Sequence, residues 1–431
     1  MMYKFWILLR DRRNRIWVSS AVSMLLAVAL ALLAKVATHF INEAHVPSIE
    51  AEMIDDLLSV VASSMLAVTI FSLGILVSAY ASVAGGATPR ATELVMGDDG
   101  TRRAIGAFIA AFIYAVVAKI ALGLGYYGAQ GRFVLLLATL AMLTYLVVRL
   151  VLWVRTLSTL GRLPDTLARL EAAAGRALEL QALQPFMGAV EGPPTPPFGT
   201  PVLAHKIGYL THIDLGSLET TAAELGHRVH VRVRPGHYVD PETCLAVMEG
   251  EGACDDGQAA RILNAFVIGP ERTFDQDSRF GLLVLSEVAQ RALSPAVNDP
   301  GTAIQVMAVL TRLLVQTQRL RAQKGLLAPK HTHLSVVPID EAKWITDAFA
   351  PIGRDGAGSI EIGLRLQYFL AVVARHGDAA TRREAERISA AQVQRGRESL
   401  TLEQERKALL ARHRDLFATR ASWHAADRYP S

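Results

Sequence analysis

Hydrophobic residues are distributed along this chain in two unlike ways. Up to about Val154 they form long unbroken blocks, and beyond it they recur at short intervals among Arg, Glu and Asp. A bilayer core of about 30 Å is crossed by roughly 20 apolar residues in helical form. Four blocks reach that length: Ile16 to Phe40, Leu57 to Ala84, Ala104 to Tyr127 and Phe133 to Val154. The second block has no charged side chain, while the others contain Lys35, Lys119 and Arg149. Lys119 lies about 12 Å of helix from Tyr127 at 1.5 Å per residue, so its stem can snorkel to that interface. The first block lacks a small-residue cleavage site and further blocks follow it, which predicts a retained helix rather than a cleaved signal.

The loops between these blocks differ in charge. Lys4, Arg10, Arg12, Arg13 and Arg15 precede the first, and the loop INEAHVPSIEAEMIDD after it holds five acids and neither Lys nor Arg. Arg90, Arg102 and Arg103 follow the second block, Arg132 alone follows the third, and Arg155, Arg162, Arg169 and Arg176 follow the fourth. Basic segments stay on the cytoplasmic side of a membrane, so both termini are expected there, in a bacterial inner membrane. Within the second block, Ser59, Ser63, Ala67, Gly74, Ser78 and Ser82 fall close to one helical stripe. Ser63, Ala67, Gly74 and Ser78 therefore form a candidate face for helix packing or for lining a pore. No block carries a carboxylate at mid-membrane, which speaks against a proton relay.

After Val154 the periodicity shortens. Arg155 to Leu183 reads as an amphipathic helical stalk, and QPFMGAVEGPPTPPFGTP follows with six prolines. That density predicts a stiff linker or extended arm. Asp214 and Gly226 suit the two caps of a helix from Leu215 to Leu225. Val229, Val231 and Val233 alternate with His230, Arg232 and Arg234 as in a half-buried strand, and Pro235-Gly236 supplies a turn before further short strands. A small β-barrel-like module over 204–254 is expected, related in pattern to biotinyl and lipoyl domains. The stretch AVMEGEG has no lysine at the hairpin tip where such domains attach their cofactor, so no cofactor is expected. From Ile262 the pattern returns to helix. Thr273 and Gln276 have capping-box spacing ahead of a helix ending near Leu293. Asp299 and Pro300 then suit the N-cap and N1 positions of a helix reaching about Gln318. Glu341 to Leu416 reads as helix interrupted by Gly353 to Ser359.

The fold class expected is an α-helical membrane protein of four transmembrane helices followed by a cytoplasmic α+β region. Its parts are a membrane domain over 1–155, stalk and linker over 156–203, the β module over 204–254, and a mostly helical domain over 255–431. A chain of 431 residues is ample for these parts. The net charge of +4 is spread without long like-charge runs, which gives nucleic-acid binding no support. Cys244 and Cys254 lack the paired spacing of a zinc site.

Glu271, Arg272, Asp275 and Asp277 form one polar cluster, and Asn298 and Asp299 form another at the far end of the same expected helix. Helix capping is the simpler reading of both; a ligand site using carboxylate and amide oxygens is the sharper one. The histidines at 205, 212, 227, 230 and 237 read as surface residues, with His230 and His237 pointing outward or lying at a turn. Nothing in the sequence spells a nucleophile elbow, a phosphate-binding Walker loop or an HExxH metal motif.

The set of four spans, TPRA at Thr88 to Ala91, HVRVRPGHYV, IGPERTFDQD, ALSPAVNDPGTA and GAGSIEIGLRL resembles a bacterial group of predicted membrane proteins, domain of unknown function 2254. The resemblance covers nearly the whole chain and NDPGTA is its most specific piece. Gly301 departs from the bulky aromatic more usual after Asn-Asp-Pro. The resemblance implies the membrane topology and the cytoplasmic module, and brings no activity, substrate or cofactor. The functional expectation is an oligomeric channel or transport-related protein gated or assembled by its cytoplasmic domain. The alternative is a non-conducting membrane-anchored scaffold or sensor. The partners expected are the lipid bilayer and further copies of the chain, with no nucleic acid and with any small ligand or ion unspecified.

Overall fold

A computed structural model describes residues 49–92, 94, 99–157, 161–195, 198–250 and 256–417, with four isolated positions before residue 49. The described residues fall into two compact units. One runs up to Thr166 apart from 86–88, and the other comprises 86–88 and the chain from Leu167 onward. The expected span Ile16–Phe40 falls almost wholly outside the described residues.

The first unit holds the helices Ala51–Gly86 (α1), Asp99–Gly123 (α2) and Ala129–Leu157 (α3). All three are long and apolar enough to cross a membrane. α2 is the most enclosed: alanines at 111, 115 and 118 let neighbouring backbones approach closely, and Phe108 and Tyr114 are buried in the same core. Polar groups inside are paired: Tyr114 and Thr139 hydroxyls lie 3.0 Å apart, and Trp153 Nε1 donates to Ser72 Oγ at 2.9 Å. Lys119 finds polar partners on α1. Its ammonium donates to Asp55 Oδ2 at 2.9 Å and to Ser59 Oγ at 2.6 Å.

The second unit begins in the helix Leu163–Leu183 (α4), so the expected stalk is two helices, separated where Gly161 adopts φ 79°. The proline-rich segment is no free linker. It contributes the strands Ala189–Glu191 (β1) and Gly199–Leu203 (β2), which lie at the two edges of a five-stranded sheet. Proline cannot donate to a ladder and so belongs on such edges, where Pro201 is found.

The remaining elements are Gly208–Ile213 (β3), Leu215–Leu225 (α5), Val229–Val231 (β4), Tyr238–Val239 (β5), Cys244–Glu249 (β6), Asp256–Asn264 (α6), Phe266–Gly269 (β7), Phe280–Ala292 (α7), Pro300–Lys324 (α8), His331–Val336 (β8), Ala342–Asp355 (α9), Ile360–His376 (α10), Ala379–Ser399 (α11) and Glu403–Phe417 (α12). The large sheet has the order β1-β8-β4-β6-β2, and a second sheet has the order β5-β3-β7. Their apolar faces share one core that includes Leu210, Phe266, Val231, Ala246 and Leu334.

The β region thus extends well beyond 204–254 and consists of two sheets with α5 and α6. β7 stands where helix was expected, and β8 pairs parallel to both β1 and β4 from far along the chain. α5 has the expected caps: Asp214 Oδ1 accepts from Ser217 N at 3.0 Å, and Gly226 closes the helix at φ 66°. The capping box at Thr273 is absent. Gln276 instead brackets the end of β3, accepting from Ile213 N at 2.9 Å and donating to Ile213 O at 3.3 Å.

Candidate functional site

Beyond β4 the chain continues through Arg232 and Val233 to Arg234, and a tight turn over 234–237 leads to β5. Pro235 supplies its fixed φ, and Gly236 takes φ 95°, a value that favours glycine. His237 N donates to Arg234 O at 3.1 Å, and Gly236 N donates to Leu210 O at 2.8 Å, which pins the turn to β3. The glycine has a second reason. A Cβ here would overlap the carboxylate of Asp277 and crowd Arg272. The turn, the segment 272–279 and the start of α9 with its preceding loop together line a cleft of about 250 Å³.

Asp277 anchors that cleft. It is 3% exposed; Oδ2 accepts from Arg272 Nη2 at 2.6 Å, and Oδ1 accepts from Arg279 N and Phe280 N at 3.1 Å, capping α7. Burial pushes its carboxyl up, against the pull of Arg272 and the two backbone donors. Arg272 also lies over the Phe280 ring at 5.1 Å. Arg279 holds Asp347 through Nε and Nη2.

Arg234 is the unusual member. It is 4% exposed, and Nη2 donates to Pro185 O at 2.7 Å and to Gln181 Oε1 at 3.0 Å. Its Nη1 is buried with no hydrogen-bond partner, and it has no carboxylate within ion-pair distance among the described residues. Burial draws its pKa down to about 10, partly countered by the charge of Glu341. Trp344, which also lines the cleft, carries a second buried donor without a partner at Nε1. His237 Nδ1 accepts from Arg234 N at 3.3 Å, which leaves the ring proton on Nε2. Burial, then Arg234, Arg279, Arg272 and Lys343, hold its pKa below the ordinary value, so the ring is neutral near pH 7. Four cationic side chains (Arg234, Arg272, Arg279, Lys343) and two carboxylates (Asp277, Asp340) line it; Arg272 pairs with Asp277, Arg279 with Asp347 and Lys343 with Asp340, so the cation without a carboxylate partner there is Arg234. The cleft is equipped to receive negative charge.

The residues singled out from sequence are dispersed. Arg272 and Asp277 line the cleft, Glu271 is exposed outside its lining, and Asp275 lies 3.4 Å from His212. Asn298 and Asp299 stand at the opposite end of α7. Asp299 Oδ1 accepts from Thr302 N at 3.0 Å and caps α8, and Asn298 takes φ 48° in the turn before it. Ser63, Ala67, Gly74 and Ser78 are exposed on α1, which packs in its unit through Ile54, Leu58, Val61, Met65 and Ser72 instead. Arg234 and Trp344 went unmarked in the sequence, because alternation in HVRVR assigns the arginines to a solvated face; His237 stands at the turn and exposed, as expected.

His230, by contrast, does not point outward. It is buried, with Nδ1 2.6 Å from Ser335 Oγ and Nε2 3.1 Å from Glu249 Oε2. The order of groups is that of a nucleophile, base and acid. Ser335, however, is 7% exposed on a strand paired on both sides, where no carbonyl substrate could reach its hydroxyl. These residues form a cross-strand polar ladder. Among the described residues, no three His, Cys, Asp or Glu side chains converge on a metal position.

Residues 13–372 match the family described as predicted membrane protein (DUF2254). The uncharacterized protein Rv1290c of Mycobacterium tuberculosis and the uncharacterized protein Mb1321c of Mycobacterium bovis are each 39% identical to the chain over 123 residues. That stretch is 27% of this chain, and the chain spans about a quarter (24%) of the length of these relatives. No solved structure matches.

Proposed function

The chain belongs to the DUF2254 family of predicted membrane proteins, and from that premise we propose a membrane-anchored sensor whose soluble domain binds a small anionic ligand in the Arg234 cleft. The observation that carries this reading is a buried guanidinium without a counter-ion, beside a second unpaired donor at Trp344. A charge taken out of water is costly unless an opposite charge or hydrogen bonds replace the solvent. An anion in the cleft supplies both.

The membrane part of the proposal has four crossings, the three described helices and Ile16–Phe40, with both termini in the cytoplasm of a bacterial cell. Its support is the distribution of Lys and Arg among the loops. Thermal unfolding of the full chain in neutral-lipid nanodiscs tests the ligand reading. Midpoints are compared in chloride, phosphate and succinate at fixed ionic strength. Stabilisation by a polyvalent anion that disappears in Arg234→Met is the expected result. Equal midpoints in every salt, or an Arg234→Met chain that responds like the parent, would refute it.

A second reading, a channel assembled from several copies, draws on the exposed small-residue stripe of α1, where Gly74 has no neighbouring atom within 4 Å of an added Cβ. Gly74→Leu would then abolish assembly and current in reconstituted bilayers. Absence of current from the unaltered chain counts against it.

A further inference from the structure

The occupied forks of the cleft arginines narrow the ligand class. Arg272 gives Nε and Nη2 to Asp277, and Arg279 gives Nε and Nη2 to Asp347. Arg234 commits Nη2 to Gln181 and Pro185. A planar carboxylate is held best by two parallel N–H groups of one guanidinium. Here the side-on forks of Arg272 and Arg279 and the end-on fork of Arg234 are already in use. What remains are single N–H groups from separate elements, Arg234 Nη1, Trp344 Nε1 and His237 Nε2, beside Lys343, whose ammonium lies 3.8 Å from Asp340 Oδ2. Donors arriving singly suit a tetrahedral oxyanion, whose terminal oxygens diverge.

Size and polarity add a second constraint. A water occupies about 30 Å³ of liquid, and a phosphoryl group roughly two to three times that. The cleft of about 250 Å³ therefore has room for more than the anion, and Val337, Pro338 and Ile339 line it beside the basic groups. A phosphate monoester carries a charge of about −1.5 to −2 near pH 7, which suits the excess of cations in the lining.

We infer that the Arg234 cleft binds a phosphate monoester of a small organic alcohol, with the phosphoryl group on Arg234, Trp344 and His237 and the organic part against Val337–Ile339. This rests on the anion-binding reading above. The headgroup of a phosphatidate and a soluble ester such as glycerol 3-phosphate share this chemistry.

Calorimetric titration of the full chain in neutral-lipid nanodiscs with glycerol 3-phosphate, inorganic phosphate and succinate tests it. Glycerol 3-phosphate should bind at least about tenfold more tightly than succinate, and Arg234→Gln should weaken it by about tenfold or more, the equivalent of one charge-assisted hydrogen bond. Trp344→Phe keeps the ring and removes only the N–H, and should weaken binding about three- to tenfold, so the inference does not hang on how Arg234→Gln folds. Succinate binding as well as the ester would overturn the phosphate assignment and leave anion binding standing. No binding by any anion would overturn both. Nanodiscs containing phosphatidate identify the source: competition with the soluble ester points to the lipid, and unchanged ester binding points to a soluble ligand.

Discussion

Replacing Gly236 by alanine should damage the cleft far more than the loss of a glycine elsewhere. At φ 95° an L side chain is strained by about 1–2 kcal/mol. The added Cβ also runs into the Asp277 carboxylate, and that group cannot withdraw. Its Oδ1 is held by the N–H groups of Arg279 and Phe280 and its Oδ2 by Arg272. Forced overlap in a packed region costs about 1–3 kcal/mol, for a total of about 2–5 kcal/mol. Gly226→Ala is the control, because Gly226 has φ 66° yet no atom within 4 Å of an added Cβ. It should cost about 1 kcal/mol. Denaturant unfolding of the full chain in micelles, with amide exchange read over residues 229–239, measures both. Gly236→Ala no more destabilising than Gly226→Ala would refute the argument that the turn and Asp277 are fitted to each other.

Asp299→Ala should cost about 0.5–2 kcal/mol in the same assay, with Asn or Ser restoring most of it, if the residue serves as a cap. The Thr302 hydroxyl and N–H hold the Asp299 carboxyl below its ordinary 3.8, so the stabilisation is present above that pH and lost as pH falls through the lower folded value. His237 has the depressed pKa of a group kept neutral by folding. Its neutral form favours the fold above pH 6.5, and stability declines as pH falls below that value toward the folded pKa. Denaturation midpoints of His237→Gln should therefore fall less steeply with acid than those of the parent; an identical slope would show that His237 does not titrate as argued. A reporter fused after Ser431 should be active in the cytoplasm and one inserted at Ser48 on the far side, and the reverse pattern would overturn the orientation.

Elements whose signal is local were legible in the sequence. The caps at Asp214, Gly226 and Asp299 need only a side chain within three residues of a helix end, and the three described spans need only length and apolarity. β8 was not legible, because a strand inserted in parallel between β1 and β4 is specified by partners far away in sequence. The stripe of α1 is exposed within its unit. Small residues permit close packing but do not name a partner, and within this unit the bulkier face of Leu58, Val61 and Met65 meets α2 and α3. The cleft was half visible. ERTFDQD marked itself by polar density, whereas Arg234 looked like one more solvated arginine until the sheet and α4 enclosed it.

That enclosure also separates a ligand site from a structural cross-link. A cross-link is sufficient to explain Arg234 Nη2, which ties Gln181 and Pro185 to the turn. It does not explain Nη1 or Trp344 Nε1. Each buried donor without a partner costs about 1–3 kcal/mol, and a neutral donor at 234 could have tied the same two oxygens. The guanidinium adds a burden of its own. Drawing its pKa down to about 10 corresponds to about 3 kcal/mol against the charged form, at 1.36 kcal/mol for each tenfold change. With a pKa still far above 7, the charge stays. A cation kept at that cost, unpaired and beside a second buried donor, is the arrangement that an anion would relieve.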